Sequence, residues 1–294
     1  MTDNKKSKEQ NMTHIVGCID GSPAAEAVCD YAVWASIRMD APLMFFHVLD
    51  DNRYPVEPDV SGNIGLGTRE HLMEELAELD QRRARLAMEQ GRHMLQAAEQ
   101  RAREKGIESI HQRQRHGDLA QCLRDIESEI QLLVMGLHGE NSSARELTVG
   151  SQLETVIRSM HRAIMLVPDE FREPKSAMLA FDGSPTAFRG VKLLANSPVF
   201  RNFPLHLVMV GPDTNDRWAQ LEEAKKILDE AGCEVHLAIR AGDVEKTLHA
   251  YQEEHGIDLL VMGAYGHSRI RQFLVGSTTT TMLSHSRSPL VILR

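Results

Sequence analysis

Three glycines and the hydroxyls behind them are the residues of this chain best suited to chemistry. Gly263, Gly266 and Gly276 stand in GAYGHSRIRQFLVGSTTTTM, two residues between the first pair and nine between the second, and Ser277, Thr278 and Thr279 follow. Glycine lacks a Cβ, so Gly263 and Gly266 let the backbone approach a ligand and allow positive φ. The apolar run IDLLVM ahead of them reads as a buried strand, and the chain after Gly276 reads as the start of a helix. Free N–H groups at a helix start lie at the positive end of its dipole and form an anion site. The three hydroxyls add donors for phosphate oxygens. The plainer alternative is that the glycines only make tight turns. Arg269 and Arg271, in the loop between, are as readily solvated as anion-binding.

Such residues need strands that end side by side. In this half of the chain, AMLAF, LHLVMV, CEVHLAI, IDLLVMG and PLVILR read as strands. DRWAQLEEAKKILDEAG between them reads as a helix closed by Gly232, and DVEKTLHAYQEEHG as one with Asp243 at its N-cap and Gly256 near its end. Alternating strands and helices with apolar central runs predict a doubly wound α/β sheet, whose ligands sit beyond the carboxyl ends of the strands. The same unit occurs earlier: CIDGSPAAEAV matches AFDGSPTAFRG, IQLLVMGLHG matches IDLLVMGAYG, and VGSQLETVI matches VGSTTTTML, in the same order. The expectation is an α/β protein of two tandem open parallel five-stranded sheets, related by a pseudo-twofold axis. A disordered tail occupies 1–12, the first domain 13–168, a linker with proline at each side 169–175, and the second domain 176–294.

The spacing G-x2-G-x9-G-(S/T), with an early Asp-Gly-Ser turn at Asp182 and again at Asp20, is similar to the nucleotide-binding signature of the universal stress protein family. The likeness covers nearly the whole chain, in two copies. It implies the adenine nucleotide alpha hydrolase-like fold and a bound ATP or ADP, with or without Mg2+. It also implies that Asp182 sits at the base and that the end of the second strand, at Val210, lines the adenine. The carboxylate fits that end, because it would repel a phosphate and can accept from the adenine amine or a ribose hydroxyl. Family members commonly pair through their final strands, so the resemblance implies that AIMLVP (163–168) and PLVILR (289–294) lie adjacent in an intrachain pseudo-dimer.

The first unit departs from the pattern. Ten residues separate Gly139 from Gly150, and the loop carries Glu140 and Glu146 against one arginine, Arg145. Ser151 and Glu154 have capping-box spacing, in which a helix start satisfies its own donors. The expected site therefore uses Asp182, Val210, Gly263, Gly266, Gly276, Ser277, Thr278 and Thr279. A weaker one, or a mere scaffold, would use Asp20, Val48, Gly136, Gly139, Gly150 and Ser151. The first unit also carries a long charged segment, Thr68 to Lys105. Leu72, Leu76, Leu79, Leu86 and His93 recur there near a 3.5 spacing, which predicts an amphipathic helix with Gly91 as the place for a break. At ~1.5 Å per residue it exceeds ~50 Å if continuous. It either covers the sheet or offers a surface to a partner, including a second chain in a homodimer. GNIGLG (62–67) reads as a loop.

Composition narrows the rest. A net charge of −9 over 294 residues argues against nucleic acid and anionic membrane as partners. No apolar run approaches the ~20 residues of a membrane span, and the polar start is not a secretory signal. Cys18, Cys29, Cys122 and Cys233 form no C-x-x-C pair and read as reduced, mostly buried thiols. A cytoplasmic protein is the expectation. The 14 histidines show no metal-ligand spacing, and His138 and His267, beside the glycine loops, read as exposed. No G-x4-G-K-(S/T) occurs, so the apparatus of P-loop hydrolases is missing. Three functions fit: a nucleotide-binding regulatory protein of stress response, acting on an unknown protein partner; a slow ATPase or a protein phosphorylating its own Ser277 or a nearby threonine; and an interaction scaffold with vestigial sites.

Overall fold

In the computed structural model, which describes residues 13–49, 66–137, 151–201, 203–263 and 288–293, strands and helices alternate as the sequence pattern demands. The first half runs β1 (His14–Cys18), α1 (Ala25–Met39), β2 (Leu43–Leu49), α2 (Leu66–Glu104), β3 (Ile110–His116), α3 (Leu119–Asp125), β4 (Ile130–Gly136), α4 (Ser151–Ser159) and β5 (Ala163–Val167). The second runs β6 (Ala177–Phe181), α5 (Pro185–Asn196), β7 (Pro204–Val210), α6 (Asn215–Glu230), β8 (Glu234–Arg240), α7 (Val244–His255), β9 (Leu259–Gly263) and β10 (Leu290–Leu293). Helix boundaries follow local chemistry. The Asp243 carboxylate caps α7 by accepting from the Lys246 N–H at 3.2 Å, and Gly256 ends it with φ at 60°. Gly232, with φ at 81°, turns the chain after α6.

The strand order is β3-β2-β1-β4-β5-β10-β9-β6-β7-β8. Within each half every neighbouring pair is parallel, and the order of one half mirrors the other. The halves join where β5 and β10 pair antiparallel, Leu166 opposite Leu290 and Ile164 opposite Ile292. The two five-stranded sheets are thus one continuous ten-stranded sheet. Each of these apolar strands would otherwise leave a row of unpaired backbone groups. Alternate residues feed two core layers. Ile15, Phe45, Leu179 and Leu207 face one, with α1 and α6; Val16, Met44, Met178 and Val208 face the other, with α4 and α7. Burial on both faces explains why the central strands are apolar throughout.

Two expectations need correction. Helix α2 is unbroken from Leu66 to Glu104. Gly91 is a contact point instead: a Cβ there would lie 2.5 Å from His47 Cδ2 and 2.7 Å from Gln114 Nε2, so the glycine lets the helix lie close over β2 and β3. Gly67, read as loop, falls inside the same helix. The helix is fastened near its end to α1, where the buried Asp30 carboxylate accepts from Arg101 at 2.7 and 2.9 Å and pairs with Lys105 at 2.7 Å. Between β5 and β6, the Arg172 N–H donates to the Tyr31 hydroxyl and the Lys175 N–H to Asp258. All four cysteines are free; Cys29, Cys122 and Cys233 are buried and Cys18 half-buried.

Candidate functional site

In each half the chain runs outward in opposite directions from the first strand, so the strand order reverses between β1 and β4 and between β6 and β9. A crevice beyond the carboxyl ends of those strands follows from the topology. In the second half, Phe181 pairs with Met209 and Ala180 with Met262. One residue further on, the register brings Asp182 abreast of Val210 and Phe181 abreast of Gly263. Three of the eight residues expected at this site therefore share one edge. The first half repeats the arrangement: Cys18 pairs with Phe46 and Gly17 with Val134, so the register leads to Asp20 beside Val48 and Ile19 beside Gly136. Gly266, Gly276, Ser277, Thr278 and Thr279, like Gly139 and Gly150, lie outside the described residues, as does the Ser151 side chain. So do His138 and His267.

The turn after each first strand is held by its aspartate. Asp182 accepts from the Ser184 N–H at 3.0 Å, while Ser184 caps α5 by accepting from the Ala187 N–H at 3.1 Å. Asp20 accepts from the Ser22 N–H at 3.1 Å and from the Ser22 hydroxyl. One carboxylate oxygen thus shapes the turn in both halves. Asp182 is exposed at the end of its strand and Asp20 half-buried. Val48 and Val210 are half-buried against the same core layer as α7.

Gly263 closes β9, half-buried, and a Cβ added to it would meet no atom of the described residues within 4 Å. Its φ is outside the left-handed region. Among the described residues, neither packing nor backbone conformation requires glycine there. Gly183 and Gly211 differ. They have φ of 72° and 152°, and a Cβ on each would collide with Gln220 and Arg217 respectively. Arg217 also donates to the Pro212 carbonyl at 3.3 Å. These two side chains from the first turns of α6 lie over the ends of β6 and β7. Sequence reasoning did not single them out, because nothing in a polar helix start marks which residues reach back over a glycine.

In the first half, Glu154 lies 3.1 Å from Arg158, one turn further along α4. His47, on β2, bonds through Nδ1 to the Ile19 carbonyl at 2.7 Å, just ahead of Asp20, and its buried Nε2 has no partner among the described residues. No group of three or more His, Cys, Asp or Glu suited to a metal ion occurs among the described residues. None of their helices is long and apolar enough to cross a membrane.

Comparison with known proteins agrees with the architecture. The profile of the universal stress protein family matches residues 12–168 and again 174–294. Universal stress protein Slr1230 of Synechocystis is 32% identical over 96% of this chain and all of its own length. Among solved structures, a universal stress protein of Archaeoglobus fulgidus superposes with a TM-score of 0.64 at 18% identity, covering 97% of this chain and 96% of its own. Protein PA1789 of Pseudomonas aeruginosa gives 0.55 at 14% identity, covering 98% and 94%. These two show the shared fold. The repeated strand-turn unit, the mirrored strand order and the two matched segments together make this chain a member of the universal stress protein family.

Proposed function

We propose that this protein is a cytoplasmic, nucleotide-binding regulator of stress response that takes up ATP or ADP, with or without Mg2+, mainly in its second domain. The observation that carries this reading is Gly263. It stands at the carboxyl end of a strand beside the point where the order reverses, and a Cβ there would meet none of the described residues. A glycine that no packing among the described residues needs is what close approach of a ligand to the backbone does need. The intact G-x2-G-x9-G-S pattern that starts there supplies the phosphate end, Asp182 and Val210 the base end. The first domain, with its longer and more acidic loop, binds weakly or serves as scaffold.

The first test is the mass of the small molecule that co-purifies with the protein. The second is calorimetry with ATP. Gly276→Val should abolish binding, since a side chain would fill the space where phosphate meets the helix start, whereas Gly150→Val should change little. Two or three charge-assisted bonds at roughly 1.5–3 kcal/mol each correspond to a loss of at least ~100-fold. Affinity lost with Gly150→Val and kept with Gly276→Val would move the working site to the first domain.

A further inference from the structure

Helix α2 is 39 residues long, while its counterpart in the second half, α6, has 16. The extra length lies at its start. Glu75, Glu78, Leu79 and residues 81–86 are all exposed, and among the described side chains of the helix the first buried position is Gly91, with Leu95 and Ala98 following on the core side. From Leu66 to Leu86 this makes an arm of about 30 Å at ~1.5 Å per residue. Leu79 is 48% and Leu86 65% exposed. In sequence, Leu72, Leu76, Leu79, Arg83 and Leu86 recur at intervals of three and four, the seam of a two-stranded coiled coil.

Charge along the arm selects its occupant. Glu70, Glu74, Glu75, Glu78 and Asp80 outnumber the single Arg69 in the first part; residues 81–86 carry Arg82, Arg83 and Arg85 and no acid. A second copy laid antiparallel sets acidic part against basic part at both ends, while parallel pairing sets like against like. The Glu78–Arg82 pair within one arm, at 3.9 Å with both side chains about three-quarters exposed, is too weak to compete. Other routes to a dimer are poorer. The strands β5 and β10 already occupy each other, and the outer strands β3 (IHQRQRH) and β8 (EVHLAIR) carry charges that blunt edge pairing.

We propose that the arm formed by the first half of α2 is a homodimerisation element, pairing antiparallel with the same segment of a second copy through the leucine stripe and the acidic-to-basic charge reversal. The test is light scattering after size exclusion, on the full chain at low and high salt. The wild type should be a dimer that weakens with salt. L79E/L86E should be a monomer, its dissociation constant raised at least ~100-fold, with unchanged circular dichroism because both positions are exposed. R82E/R83E/R85E makes both parts of the arm net acidic, and E74R/E75R/E78R makes both net basic. Each variant alone should be monomeric, and a mixture of the two should form heterodimers. A monomeric wild type, or a dimer that survives L79E/L86E, overturns the proposal. Failure of the charge variants to pair with each other overturns the antiparallel arrangement.

Discussion

Replacing Gly263 by alanine should move stability and affinity in opposite directions. The new methyl group meets no atom of the described residues within 4 Å, and the residue lies outside the left-handed region of φ, so these contacts put no strain on the folded state. The unfolded chain loses freedom, which stabilises the fold by roughly 0.4–1 kcal/mol. With nucleotide present, the methyl occupies the approach path at the end of β9. Losing even two charge-assisted bonds to a displaced phosphate costs on the order of 3 kcal/mol, or at least ~100-fold in affinity. Urea melts of nucleotide-free protein read the first effect, and titration calorimetry with ATP reads the second. Raised stability with unchanged affinity would show that the ligand does not pass over Gly263. Lowered stability would show that the open space beside it is filled by the protein itself.

Three further outcomes follow from contacts on the same sheet. Gly91→Ala gains up to ~1 kcal/mol in helix propensity but overlaps His47 and Gln114, at a typical cost of ~1–3 kcal/mol, so a net loss of about 1 kcal/mol should appear as a lower urea midpoint. For Asp30, burial pushes the carboxyl up, and hydrogen bonds from Arg101 and Lys105 more than offset this and hold it below its ordinary range. Its contribution is present above the unfolded pKa near ~3.9 and is lost as pH falls through the lower folded value. Asp30→Asn should cost about 1–3 kcal/mol in chemical denaturation at neutral pH and flatten the acid limb of the stability profile. His206, under α7, has its pKa lowered to about 4 by burial first and then by His236 and His255, against a weaker opposing effect of Glu234. Stability should therefore fall as pH drops from the ordinary histidine value near ~6.5 towards that value, and His206→Gln should remove on the order of 1 kcal/mol of this loss, read by melts across that range.

Local chemistry was legible wherever one residue type has one strong structural use. Asp243 is an N-cap, Gly256 and Gly232 turn the chain after helices, and the apolar runs are strands buried on both faces, as their patterns predict. The internal repeat made the two like halves foreseeable, and the family resemblance the pairing of the last strands. Gly91 was misread because glycine in a helical pattern has two meanings, a weak point or a close approach. Only the position of His47 and Gln114, set by strands far away in sequence, decides between them. The layer of Arg217 and Gln220 over Gly211 and Gly183 was hidden for the same reason. At the candidate site, the aspartate and the strand-end valine fall where the turn motif leads. The resemblance implied a ligand role for Asp182; the structure shows it holding the Ser184 turn.

The seam between β5 and β10 also sets a timetable. Strand β5 leaves the ribosome long before its partner, because Leu166 pairs with Leu290, roughly 120 residues later, or about 6–25 s at ~5–20 residues per second. Throughout that interval the newborn first half presents an apolar strand, Ala163–Val167, with one side unpaired, the geometry that invites a neighbouring nascent chain to bind. Strand β10, which pairs with both β9 and β5, is the piece that closes it. A chain cut short before Leu290 would keep that edge open permanently and should yield aggregates rather than a protein missing one strand.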